Sequence, residues 1–239
     1  YDKTREIVAD FVGTNLDDHV VLFCTNTTEA INKLANDLDR DNGRDIVISS
    51  LMEHHSNDLP WRRRFNVKYI DVDKNGRLDI QDLEGMLKKY NNRVRIVTIT
   101  GISNVTGYIN DIHTIAKLCH RYNTELAVDA AQMVAHMPIN MNPMNASEKI
   151  DYLFFSAHKM YAPFGSCVLI APCKSLKKNT PERTGGGTVN VVTHEYVVWA
   201  DLPYKEEAAS PNTIGAANKA AFTAAPVAGL VISDTFSPT

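Results

Sequence analysis

The chain is predicted to fold as a three-layer αβα domain of the α/β class, with helices on both faces of a mostly parallel seven-stranded sheet. Three observations predict it. Short apolar runs alternate along the chain with stretches of helical spacing. The runs lack the in–out alternation of a sheet with one wet face, so both faces are buried. Polar clusters follow several of the runs, and in such sheets ligands bind beyond the carboxyl ends of strands.

Residues 1–6 (YDKTRE) are polar and read as the middle of a helix. Residues 20–24 (VVLFC) are the first buried strand. Residues 29–38 place Ala30, Ile31, Leu34, Ala35 and Leu38 at helical spacing. Residues 45–49 (DIVIS) are the second strand, and residues 67–72 the third, with Asn75-Gly76 as a turn behind it. Residues 78–90 are an amphipathic helix, with Asp79 and Asp82 near its start and Lys88-Lys89 near its end, a charge order that suits the helix dipole. Residues 93–100 (RVRIVTIT) are the fourth strand. Residues 111–122 form a helix with Ile112, Ile115, Ala116, Leu118 and Cys119 inward. Residues 125–129, 152–155 and 167–170 complete the seven strands. After Pro172 the pattern weakens, and Gly185-Gly186-Gly187-Thr188 marks a flexible loop.

The 239 residues suit one large domain or one domain with trimmings, and 44% apolar content fills a sizeable core. Lys plus Arg is 25 and Asp plus Glu 28, a net charge of -3, which argues against nucleic acid or an anionic membrane as the main partner. The four cysteines, Cys24, Cys119, Cys167 and Cys173, contain no C-x-x-C pair and read as buried thiols in a reducing cytosol. With no secretory signal and no apolar run of membrane-span length, a cytoplasmic location is expected. The start lacks a Met and a capping signal, and the Ala-, Pro- and Ser-rich tail 220–239 has no strong pattern. Both ends read as cut.

The clusters behind the strands carry the chemistry. Ser156-Ala157-His158-Lys159 follows the apolar run 151–155 and places a hydroxyl, an imidazole and an amine at one lip of the sheet. A buried or crowded amine there can lose its proton and attack an aldehyde, as a lysine does toward pyridoxal phosphate (PLP), while Ser and His hold a phosphate. Asp129 ends another apolar strand. It is either a helix N-cap or the carboxylate that pairs with a protonated pyridine nitrogen. Thr28, in Thr25-Asn26-Thr27-Thr28-Glu29, caps the next helix or joins its free amides in holding phosphate. His54 or His55 is a surface or capping histidine, or lies flat on an aromatic ring. Asn104 is a turn residue, or reaches a polar ring substituent.

This set of motifs resembles the class V aminotransferases, the PLP-dependent group that contains cysteine desulfurases and selenocysteine lyases. The matching stretches are Thr27-Thr28-Glu29-Ala30-Ile31-Asn32, Glu53-His54-His55-Ser56-Asn57 with Pro60-Trp61, Ser103-Asn104-Val105-Thr106-Gly107, Val128-Asp129-Ala130-Ala131-Gln132, Ser156-Ala157-His158-Lys159 with Gly165, and the tail stretch 206–212 (EEAASPN). The resemblance implies the large domain of a fold type I PLP enzyme over residues 1–218, an irregular tail over 219–239 and no small domain. It implies a Schiff base on Lys159, which also shuttles a proton. Asp129 would pair with the pyridine nitrogen, and His54 would stack on the ring and assist proton transfer. Gln132 and Asn104 would bond the ring oxygen, and Thr28, Ser156 and His158 the phosphate, with Thr27 nearby. Ser210 would reach the phosphate of a second subunit, so a homodimer is implied, with a small amino acid as substrate.

The sequence departs from the family pattern where Asn26, Ala162 and Ala209 replace glycines, each expected to tighten the backbone. No cysteine stands at the family's mobile nucleophilic loop, so persulfide chemistry is assigned to none of the four. Two functions follow: an amino-acid transformation by transamination or C–S cleavage, or a truncated, catalytically weak fragment that binds PLP or dimerises. A nucleotide binder is disfavoured, because no G-x-G-x-x-G follows the first strand.

Overall fold

The computed structural model describes residues 2–38, 43–176, 180–181 and 183–207. Helix α1 (Asp2–Phe11) precedes strand β1 (His19–Cys24) and helix α2 (Thr27–Asp37). Strand β2 (Ile46–Ser50), the short helix α3 (Leu59–Arg62) and strand β3 (Asn66–Ile70) follow. Helix α4 (Ile80–Tyr90), strand β4 (Val94–Thr100), helix α5 (Ile112–Arg121) and strand β5 (Glu125–Asp129) continue the alternation. Strands β6 (Tyr152–Ser156) and β7 (Cys167–Pro172) complete the large sheet, and β8 (Val189–Val192) with β9 (Val197–Trp199) form a separate hairpin.

The large sheet has seven strands in the order β1-β7-β6-β5-β4-β2-β3. Strands β3, β2, β4, β5 and β6 pair in parallel, and β7 runs antiparallel to both its neighbours. Successive side chains of a strand enter opposite cores. Tyr152 and Phe154 pack with Ala30, Ile31 and Leu34 of α2 and Trp61 of α3. Leu153 and Phe155 pack with Val8 of α1, Leu83 and Leu87 of α4, and Ile115 and Cys119 of α5. The helices therefore cover both faces. Trp61, Tyr152, Phe154 and Phe155 are wholly buried, and truncating such a side chain to Ala costs about 3–5 kcal/mol.

The inward residues expected on α2 and α5 are all buried. Differences lie at the ends of elements. The third strand stops at Ile70, because Val72 turns away to bridge Leu78 around the Asn75-Gly76 turn. Asp79 caps α4 by accepting from the N–H groups of Gln81 and Asp82. The β8–β9 hairpin lies where the pattern weakens: it is short, and Val191, Val192, Val197 and Val198 are exposed. No helix among the described residues is long and apolar enough to cross a membrane.

Residues 204–207 are tied back onto the first layer. The Lys33 amine meets Glu206 at 3.1 Å and the Arg5 guanidinium meets Glu207 at 2.7 Å, both pairs largely shielded from water. A charge taken out of water needs such a partner.

Candidate functional site

A cleft of about 210 Å³ opens at the carboxyl ends of β4, β5 and β6 and the start of α2. Thr27, Thr28, His54, Asn104, Asp129, Gln132, Ser156, His158 and Lys159 all line it, together with Asn26, Ser56, Thr100, Ile102 and Ala131. Nine of the ten site residues expected from the sequence thus meet at one place. The tenth, Ser210, lies outside the described residues, as does Ala209.

One end of the cleft is built on the β1–α2 turn. Of the two roles open to Thr28, capping is not the one it takes: the cap is Asn26, whose side-chain oxygen accepts from Glu29 N–H at 2.8 Å. Asn26 has φ -160° and ψ 166°, extended backbone that any residue adopts, so its replacement of a glycine tightens nothing. Relieved of capping, Thr28 meets Ser56 hydroxyl to hydroxyl at 2.7 Å. Thr27 N–H donates to Ser156 Oγ at 3.2 Å and the two hydroxyls stand 2.7 Å apart, so the end of β6 and the start of α2 share one hydrogen-bonding node. His158 stacks on Phe164 with centroids 5.1 Å apart, and its buried Nδ1 has no hydrogen-bond partner. Burial, and then the charge of Lys159, push its pKa down.

At the other end, Asp129 is buried and one of its oxygens accepts from Ala131 N–H at 2.9 Å. Burial pushes its pKa up, opposed by that hydrogen bond and by the nearby charge of Lys159. A buried carboxylate with one backbone donor is poised for a cation. Lys159 is an exposed residue on the cleft wall. The expectation of a buried or crowded amine is corrected here. The turn Ala157–Met160 carries the residue past the strand end. The backbone then leaves through the left-handed region at Tyr161, φ 65°, and Gly165, φ 88°. Ala162 is not among the positive-φ residues, so the missing glycine there needs no strained conformation.

His54 sits at the cleft rim. Its Nδ1 accepts from Ser56 N–H at 3.2 Å and faces Ser56 Oγ at 3.0 Å. A backbone N–H only donates, so Nδ1 carries the lone pair and Nε2 the proton. Its neighbour Glu53 was not singled out from the sequence, where it reads as one more polar residue of a loop. The Glu53 carboxyl accepts from Ser50 Oγ at 2.5 Å, Thr100 N–H at 2.9 Å and Asn57 Nδ2 at 2.7 Å. Burial, with the charge of Asp129 adding, pushes its pKa up to about 8 against those hydrogen bonds. Burial likewise raises the thiols of Cys24 and Cys167, the latter to about 12, so both stay protonated and unreactive. Among the described residues no group of three His, Cys, Asp or Glu side chains is placed to hold a metal ion.

Comparison with known proteins finds one family. The aminotransferase class-V family matches residues 1–224. A probable cysteine desulfurase of Halalkalibacterium halodurans is 34% identical over 224 residues, 90% of this chain and 53% of that protein. A cysteine desulfurase of Wigglesworthia glossinidia brevipalpis is 35% identical over 224 residues, 90% of this chain and 52% of that protein. The crystal structure of the Escherichia coli cysteine desulfurase CsdA in an S-sulfonic acid form superposes with a TM-score of 0.82 at 28% identity, covering 98% of this chain and 57% of that one. An apo cysteine desulfurase from Thermococcus onnurineus NA1 gives 0.82 at 31% identity, covering 97% and 57%. The chain thus spans about half the length of the curated relatives it matches.

Proposed function

Since the chain belongs to the aminotransferase class-V family, we propose that its strand-end cleft holds PLP on Lys159 and acts on a small amino acid. C–S cleavage of cysteine is the reaction favoured by the relatives' names. The observation that carries the proposal is the convergence of an amine, a buried carboxylate, an imidazole and a hydroxyl node on one cleft. The residues fit the cofactor. Asp129 offers an anion short of partners, and the buried Nδ1 of His158 awaits one.

When bound, PLP supplies an aldehyde for amines and a cationic ring that takes up the electron pair of a bond broken beside it. Lys159 would hold it and carry the proton to and from the substrate's α-carbon. Asp129 would keep the ring nitrogen protonated. His54, with its proton fixed on Nε2, would stack on the ring and donate a hydrogen bond. Thr27, Thr28, Ser156 and His158 would bind the phosphate, helped by the first-turn amides of α2, and Gln132 and Asn104 the ring oxygen.

A homodimer in the cytoplasm belongs to the same proposal, as does a large domain over residues 1–218. Exposed Tyr161, Phe164 and the valines of β8 and β9 give the dimer an apolar surface to cover, and Ser210 would complete the partner's phosphate site. The second reading is PLP binding without turnover.

The test is turnover. The chain with PLP, L-cysteine and dithiothreitol is expected to release alanine and sulfide, the dithiothreitol thiols accepting the sulfur and being oxidised to the disulfide as sulfide leaves, and Lys159→Ala to release neither. Conversion of cysteine to 3-mercaptopyruvate, with its amino group passed to an added keto acid, would identify transamination. No product from any amino acid would leave the binding reading alone.

A further inference from the structure

We propose that Glu53 is a positioning residue for Asp129, acting through the end of β4; the inference deepens the cofactor reading and rests on it. Glu53 stands behind the cleft wall, outside the lining. Its carboxyl gathers three parts of the chain: the end of β2 through Ser50, the turn after it through Asn57, and the end of β4 through Thr100.

Two of these donors have no alternative role. Trp61 Nε1 donates to Asn57 Oδ1 at 3.1 Å, and Thr98 Oγ1 does so at 2.8 Å. An indole N–H only donates, so the Asn57 oxygen faces Trp61 and its NH2 faces Glu53. Thr100 N–H is likewise a donor only. One obligate donor therefore meets each Glu53 oxygen, an arrangement that a carboxyl satisfies and an amide does not.

Thr100 is the cross-strand partner of Asp129. The Thr100 N–H goes to Glu53, and the next N–H, of Gly101, goes to the Asp129 carbonyl oxygen at 2.8 Å. Consecutive peptides of one strand end are thus fixed from opposite sides, by Glu53 and by Asp129. Gly101 is closely packed, since a Cβ there would lie 2.8 Å from Met133 Sδ. Withdrawing the Glu53 carboxyl frees the first of these amides and loosens the strand end against which Asp129 is registered. The anchor also precedes His54 by one peptide.

The test is a double-mutant cycle on PLP affinity in the full chain, with Glu53→Asp, which keeps the acid but retracts it from Thr100, Asp129→Asn, and both together. Glu53→Asp is expected to weaken PLP about tenfold in the wild-type background and by about twofold or less once Asp129 is Asn, the non-additivity of residues acting as a unit. An equal factor in both backgrounds, or no effect in either, would overturn the inference, because a general loss of structure adds to the Asp129 change. Glu53→Ala replaces Glu53→Asp in the cycle if the latter does not fold. A wild-type chain that takes up no PLP defeats the cofactor reading itself. PLP uptake with additive losses defeats this inference alone.

Discussion

Asp129 shows how much one residue's surroundings decide. An exposed aspartate is an ordinary anion, but here burial penalises the charge, and Ala131 N–H and Lys159 offset only part of it. A cation in the cleft would complete the set. The carboxylate matters most where charge on that cation counts most, in the transition state rather than in the resting complex. Asp129→Ala is therefore expected to lower turnover by at least about a hundredfold while weakening PLP by about tenfold or less. Steady-state rates set beside PLP titrations check this, and equal losses would count against the role. The residues whose chemistry is visible in isolation, such as Lys159 and Asp129, could be picked from the sequence. Glu53 could not, because its importance comes from Asn57, Trp61, Thr98 and Thr100, which the fold brings to it. The two readings of Thr28, cap or phosphate contact, stayed open for a similar reason: they separate only once Asn26 is seen to cap α2 by accepting from Glu29 N–H.

Among the elements, the buried strands and the amphipathic helices were legible because apolar spacing is a local property. Their ends were not, since caps and turns are settled by single hydrogen bonds. Helix α5 shows what such an end contributes. His120, in its last turn, faces Ser147 O through Nδ1 and Asp151 through Nε2, each at 2.8 Å. Both partners accept, so the ring donates twice and is an imidazolium. Asp151 also accepts from Leu126 N–H at 2.9 Å, joining α5, β5 and the start of β6. The Asp151 hydrogen bond raises the His120 pKa above its ordinary 6.5. A raised folded-state value means that the stabilisation is full below 6.5 and is lost as pH rises through that value. His120→Gln is expected to cost about 1.5–3 kcal/mol at about pH 5.5 and much less at about pH 9. Urea unfolding at both pH values measures the gap. A gap that did not narrow at the higher pH would contradict the charged form.

For the whole molecule, the three-layer architecture was legible, but the strand order was not. Nothing in residues 167–172 announces that β7 inserts antiparallel between β1 and β6. That insertion matters. It sets β1 two strands from β6, close enough for Thr27 to reach Ser156 across 129 residues of sequence. The β8–β9 hairpin was missed because its valines face outward, and outward valines carry no core periodicity. The central claim is that distant strand ends assemble one site around the Lys159 amine. The most direct measurement is to add PLP to the chain, reduce with borohydride, digest and map the label by mass spectrometry. A visible absorbance band before reduction and a pyridoxyl group on Lys159 alone are expected; no band, or a label spread over surface lysines with Lys159 unmodified, would rule out a site built around that amine.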